Sequence, residues 1–132
     1  MKYWPMSTTI DWKRAQPVWK ARPEVIAAWA FGSAQDGQVR AGSDIDIGVF
    51  LKSLPSLDEQ LELVAALESA LRIGNVDLVI LNEVNPILRF EAISGRAIYC
   101  SDMGRRAEFA SLTAREYEDE MALWERTLKS RG

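Results

Sequence analysis

Short apolar runs alternate along the chain with polar links marked by glycine, and the period of each run sets the element it predicts. Glu24 to Phe31 (EVIAAWAF) is almost continuously apolar and stops at Gly32-Ser33, which predicts a buried strand, although Ala27, Ala28 and Ala30 also tolerate helix. Asp44 to Leu51 (DIDIGVFL) alternates and then turns apolar, predicting a second strand. Val76 to Leu81 predicts a third, and Arg96 to Cys100 a fourth at a sheet edge. Between these runs, Leu57, Leu61, Val64, Leu67 and Leu71 recur at helical spacing. Ser56 and Glu59 form a capping-box pattern ahead of that helix, and Gly74 is its expected stop. Asn85-Pro86 reads as the cap and first position of a short helix ended by Gly95.

From about Gly104 the pattern is helical to the end. Ala110, Ala114, Tyr117, Met121, Trp124 and Leu128 recur there at steps of three and four. A stripe of that kind is expected to pack on its own domain's sheet, although Tyr117, Met121 and Trp124 also have the chemistry of interface anchors. At the other end, Met1 to Pro23 is rich in Trp and interrupted by Pro5, Pro17 and Pro23. Trp12, Ala15 and Trp19 keep helical spacing, but Pro17 is expected to break or kink the helix, so a short irregular helical segment is predicted. The order of elements describes one α/β (α+β) domain: a small mixed sheet of about four strands flanked by helices, with a long C-terminal helix. The expected division is an irregular helical segment over 1–23, a core over 24–102 and a C-terminal helix over 103–132. The short link between the first two strands makes them sheet neighbours.

Composition narrows the chemistry. The chain has 132 residues, 16 basic and 19 acidic side chains, and a net charge of -3. No strong basic field exists to hold nucleic acid, and no apolar run is long enough to span a bilayer. The single Cys100 excludes an internal disulfide and suits a reducing cytoplasm. There is no histidine, so Ser-His-Asp and Cys-His nucleophile systems and imidazole-bound zinc are excluded. Acid-base or metal chemistry must use carboxylates, hydroxyls, Lys, Tyr or backbone groups, and carboxylate sites favour hard cations such as Mg²⁺.

The polar exceptions within the apolar strands carry that chemistry. Asp44 and Asp46 lie two apart, so on a strand they share one face with Cα atoms roughly 6.6 Å apart. Carboxylates at that spacing reach a cation pair about 3.5–4 Å apart. Ile45, Ile47 and Val49 take the core face, and Gly48 is expected to leave room for a ligand on the carboxylate face. Asp77 is a third carboxylate in an apolar strand, where an unpaired charge is costly. An arginine partner is the plain explanation for it. The other is a metal or a strand face open to a cleft, and pairing beside the second strand would bring Asp77 to the other two. Gly32-Ser33 directly follows a strand, where glycine lets the backbone approach a phosphate and the Ser33 hydroxyl adds a hydrogen bond.

Gly32-Ser33, ten residues, then Asp44-x-Asp46 is the G-S-x10-D-x-D pattern of the DNA polymerase β-like nucleotidyltransferases. Phe31-Gly32-Ser33, Gly42-Ser43-Asp44-Ile45-Asp46-Ile47 and Val76-Asp77-Leu78-Val79 resemble the minimal nucleotidyltransferase (MNT) domains, from about Pro23 to Asp102. The resemblance implies a nucleotidyltransferase fold, ATP as substrate, and two Mg²⁺ ions held by Asp44, Asp46 and Asp77. It implies nucleotide contacts from Gly32, Ser33, Ser43 and Arg40. Many relatives carry arginine directly after the Gly-Ser pair, whereas Ala34, Gln35 and Asp36 follow here, which makes Arg40 the candidate replacement. It also implies a cytoplasmic antitoxin that pairs with a helical HEPN ribonuclease toxin and transfers AMP to a tyrosine hydroxyl on it. The competing expectations are an antitoxin that blocks its toxin sterically and a small-molecule nucleotidyltransferase.

Overall fold

The structure, a computed structural model, describes residues 8–39 and 42–130. Four strands make the main sheet: β2 (Val25–Phe31), β4 (Ile45–Leu51), β5 (Val76–Ile80) and β6 (Arg96–Cys100), in the order β5-β4-β2-β6. β2 is antiparallel to both β4 and β6, and β4 is parallel to β5. The first two predicted strands are therefore neighbours, and the fourth lies at an edge. A two-stranded ribbon that sequence pattern did not predict pairs β1 (Thr8–Thr9) with β3 (Gln38–Val39). Two residues per strand leave no periodicity to read.

Helices cover both faces. On one side lie α1 (Gln16–Lys20), the 3-10 turn Trp12–Ala15 before it, and α2 (Leu57–Leu71). There Trp12, Val18, Trp19, Leu63, Leu67 and Leu71 pack on the inward residues of β2, β4 and β5. Pro17 does not break α1, because it sits in the first turn, where its missing N–H removes no helical bond. In α2 the Ser56–Glu59 capping box forms as expected, with Glu59 N–H donating to Ser56 Oγ at 3.1 Å and Ser56 N–H to Glu59 Oε1 at 2.9 Å. The buried face is Leu63, Leu67 and Leu71, while Leu57 and Leu61 stay exposed, so the predicted stripe is rotated from the observed one. Nor does Gly74 end the helix: Arg72 caps it in the left-handed region at φ 57°.

On the other face lie α3 (Pro86–Ile93) and α4 (Met103–Ser130). Ala92 and Phe109 pack on Ile26, Trp29, Phe31 and Leu81. Phe50 stacks on Phe109 with ring centroids 4.0 Å apart. Ser101, just ahead of α4, ties the chain to β2 by donating its N–H to Ile26 O at 2.8 Å and its hydroxyl to Val25 O at 2.9 Å. Gly95 locks the end of α3 onto β2, where a Cβ would collide with the Ala30 carbonyl. The C-terminal stripe departs from expectation. Phe109 and Thr113 are the buried residues of α4, whereas Met121, Trp124 and Leu128 are exposed. Among the described residues no helix is long and apolar enough to cross a membrane.

Candidate active site

The end of β2 and the starts of β4 and β5 meet at one end of the sheet, because β2 runs against β4 and β4 runs with β5. That topology brings the polar exceptions together. Phe31 stands opposite Asp46, and Asp46 stands opposite Asp77 across the parallel pair. Neighbouring strands lie about 4.8 Å apart, so the two carboxylates share one face at that separation. Ile45, Ile47 and Val49 point to the opposite face and are fully buried against α2. Asp46 is half-buried, and Asp77 and Asp44 are exposed. Asp44 precedes β4 rather than lying in it, so it sits on the approach to the strand with more freedom than strict alternation predicts.

Gly32 closes the site from the β2 side. It opens the 3-10 turn Gly32–Ala34 in the left-handed region, at φ 67°. A Cβ there would lie 2.5 Å from Oδ2 of Asp46. Both constraints require glycine, and the second makes the Gly-Ser turn and Asp46 direct neighbours. Ser33 is exposed on the same turn, while Ala34 is buried. Ser43 is half-buried just ahead of Asp44. Arg40 lies outside the described residues. Gly48 does not hold ligand space, since a Cβ on it would meet the Leu81 side chain at 3.0 Å. It lets Leu81 pack flat on β4.

The electrostatics centre on Asp46. Its carboxyl is raised above the ordinary aspartate value, first by burial, then by the charge of Asp77 and hydrogen-bond contact with it, then by the charges of Asp44 and Glu91. Glu91, exposed on α3, is the acidic neighbour that sequence reasoning missed. Its only signal was a place on a short helix whose docking onto β2 the sequence did not specify. No arginine pairs with Asp77 among the described residues. Among the described residues no three His, Cys, Asp or Glu side chains are gathered into a ready-made ligand set. The donors nevertheless fit a hard cation: they are carboxylate oxygens, their crowding raises the Asp46 pKa, and positive charge would relieve that crowding.

The fold has known relatives. The family described as polymerase beta, nucleotidyltransferase matches residues 13–104. A solved toxin–antitoxin structure with AMP-PNP is similar at 23% identity and TM-score 0.75, covering 91% of this chain and 97% of that one. The toxin–antitoxin MntA-HepT is similar at 22% identity and TM-score 0.67, with the same coverage. A tri-AMPylated Shewanella oneidensis HEPN toxin in complex with an MNT antitoxin is similar at 22% identity and TM-score 0.66, covering 89% of this chain and 95% of that one. Comparison with the curated proteins gave no significant sequence match. The family match spans most of the chain and includes the turn, the paired aspartates and the β5 carboxylate: this protein belongs to the polymerase β nucleotidyltransferase family.

Proposed function

We propose that this chain is a single minimal nucleotidyltransferase domain over 1–132, acting in the cytoplasm as the antitoxin of a HEPN toxin and transferring AMP from ATP to a tyrosine hydroxyl of that partner. The observation that carries the reading is the seating of Asp46 between the Gly32 turn and Asp77. One side offers backbone and hydroxyl groups to a phosphate chain, and the other offers carboxylates. Solved relatives that hold AMP-PNP or a tri-AMPylated HEPN toxin support it.

In this reading Gly32 and Ser33 cradle the triphosphate, with Ser43 and Arg40 as further nucleotide contacts. Asp44, Asp46 and Asp77 would hold two Mg²⁺ ions, which supply charge neutralisation for the phosphates when bound. The acceptor oxygen attacks the α-phosphorus in line, the bond to the α,β-bridging oxygen breaks, and pyrophosphate leaves. Asp77, at the open edge of the sheet, orients the hydroxyl and receives its proton. Positioning and charge neutralisation provide the rate, so no imidazole is needed.

Incubation with labelled ATP, Mg²⁺ and the cognate HEPN protein tests this. Label should pass to the partner from the wild-type chain, and Asp44→Ala/Asp46→Ala should abolish it. One observation favours a second reading, neutralisation by steric binding: buried Ala34 follows Ser33 where many relatives place an arginine. Neutralisation that survives the double substitution without any label would establish that alternative.

A further inference from the structure

The stripe of α4 that faces the domain continues past the point where the domain ends. Its first half is covered: Phe109 lies under Phe50 and Trp29, and Tyr117 stacks on Phe90 at 4.1 Å. Arg89 fixes the crossing, donating to Glu116 Oε2 at 3.2 Å and to Val84 O at 2.8 Å. Beyond Tyr117 the helix runs on to Ser130, about 20 Å at 1.5 Å per residue. Every residue from Met121 to Ser130 is exposed. Met121, Trp124 and Leu128 are 39%, 54% and 62% exposed and lie on the same side as Tyr117. An uncovered tryptophan at the centre of such a stripe is the kind of anchor that carries binding energy between proteins.

The charges around the stripe say what covers it. At about 100° per residue, Glu116 and Glu120 flank the Tyr117–Trp124–Leu128 line on one side, and Glu118 and Glu125 flank it on the other. Arg115 and Arg126 fall on the opposite face, and Lys129 stands one turn beyond Glu125 at the tip. Glu116 is already committed to Arg89. An apolar line between acidic rims complements an apolar groove bordered by Lys and Arg. A second copy docked stripe to stripe would set acidic rim against acidic rim, which like-charge repulsion disfavours.

We infer that residues 117–130 of α4 form a docking helix that lays Trp124, Met121 and Leu128 into a basic-rimmed apolar groove of a different protein. The mode is helix-in-groove recognition, read through anchors at i, i+3 and i+7. Resting on the reading above, this identifies the occupant as the same helical protein that presents the acceptor hydroxyl. The active site and the docking helix then divide the work, one holding the nucleotide and the other holding the acceptor chain.

The test measures binding without nucleotide. Titration calorimetry compares the cognate HEPN protein against the wild-type chain, Trp124→Ala/Leu128→Ala, and Glu118→Lys/Glu120→Lys/Glu125→Lys. The anchor variant should weaken Kd by at least about 30-fold, the loss of one strong anchor. The charge variant should slow association and remove most of its salt dependence. Circular dichroism and unchanged binding of an ATP analogue confirm that both variants fold, as expected for exposed positions. Unchanged Kd in both variants overturns the inference. So does a wild-type dimer that the anchor variant turns into monomer, since the stripe would then serve a second copy. Asp44→Ala/Asp46→Ala should bind with wild-type Kd and transfer no label. No label from the wild-type chain, with binding still lost on Trp124→Ala/Leu128→Ala, would end the catalytic reading and leave the docking helix standing.

Discussion

Replacing Gly32 by alanine separates two roles that this position combines. The backbone there is left-handed at φ 67°, which costs a residue with a Cβ about 1–2 kcal/mol. The added Cβ would also sit 2.5 Å from Oδ2 of Asp46. That neighbour is the end of a side chain, so the carboxylate swings away at an off-rotamer cost of about 0.5–1.5 kcal/mol. Gly32→Ala should therefore destabilise by about 2–3 kcal/mol in urea unfolding. Gly42→Ala is the control: its φ is 80° and a Cβ there meets nothing within 4 Å, so it carries the backbone cost alone. In an Asp46→Ala background the cost of Gly32→Ala should fall to that of Gly42→Ala. The difference is the coupling energy between the turn and the carboxylate. In the transfer assay, moving Asp46 by about 1 Å should lower the rate by about 100-fold. Equal penalties for Gly32→Ala and Gly42→Ala, with coupling below about 0.5 kcal/mol, would refute the claim that the Gly-Ser turn seats Asp46.

Three further outcomes follow from other contacts. The raised pKa of Asp46 means that its contribution to stability is full below the ordinary aspartate value and is lost as pH rises through the raised one. Asp46→Asn should therefore stabilise the metal-free protein at pH 7, with the gain vanishing below about pH 4; a gain that persists in acid would contradict the electrostatic cause. Gly95→Ala should cost about 1–3 kcal/mol, because the methyl group meets the Ala30 carbonyl and the Phe31 Cβ, and hydrogen exchange should quicken in α3 before the β2–β4 pair. Arg89 holds Glu116, the Val84 carbonyl and the Phe109 ring at once, so Arg89→Ala should cost about 1–3 kcal/mol and Arg89→Lys should restore little of it, since one ammonium cannot make the forked contact.

The strands and α2 were legible because their patterns are long and their signals are local. The Ser56–Glu59 box lies within one turn, and the alternation of Ile45, Ile47 and Val49 fixes a face without knowledge of the partner strand. What escaped depends on neighbours distant in sequence. The rotation of α2 was misread because Leu57 and Leu61 match the helical period as well as Leu63 does, and only the position of the sheet chooses between them. Gly48 was misread as ligand space because the residue that fills it, Leu81, comes from a strand's far end.

The candidate site shows the same division in sharper form. Asp44 and Asp46 are two apart in sequence, which suggested equal partners on one strand face. The fold treats them differently. Asp46 is inside β4, in register with Asp77, pressed by Gly32 and charged against Glu91, and its pKa is raised. Asp44 stands before the strand and is exposed. Register across β4 and β5, invisible in a spacing rule, makes Asp46 the rigid member and leaves Asp44 the adaptable one. In the proposed function, Asp46 would stay fixed against the Gly-Ser turn while Asp44 adjusts to the ligand.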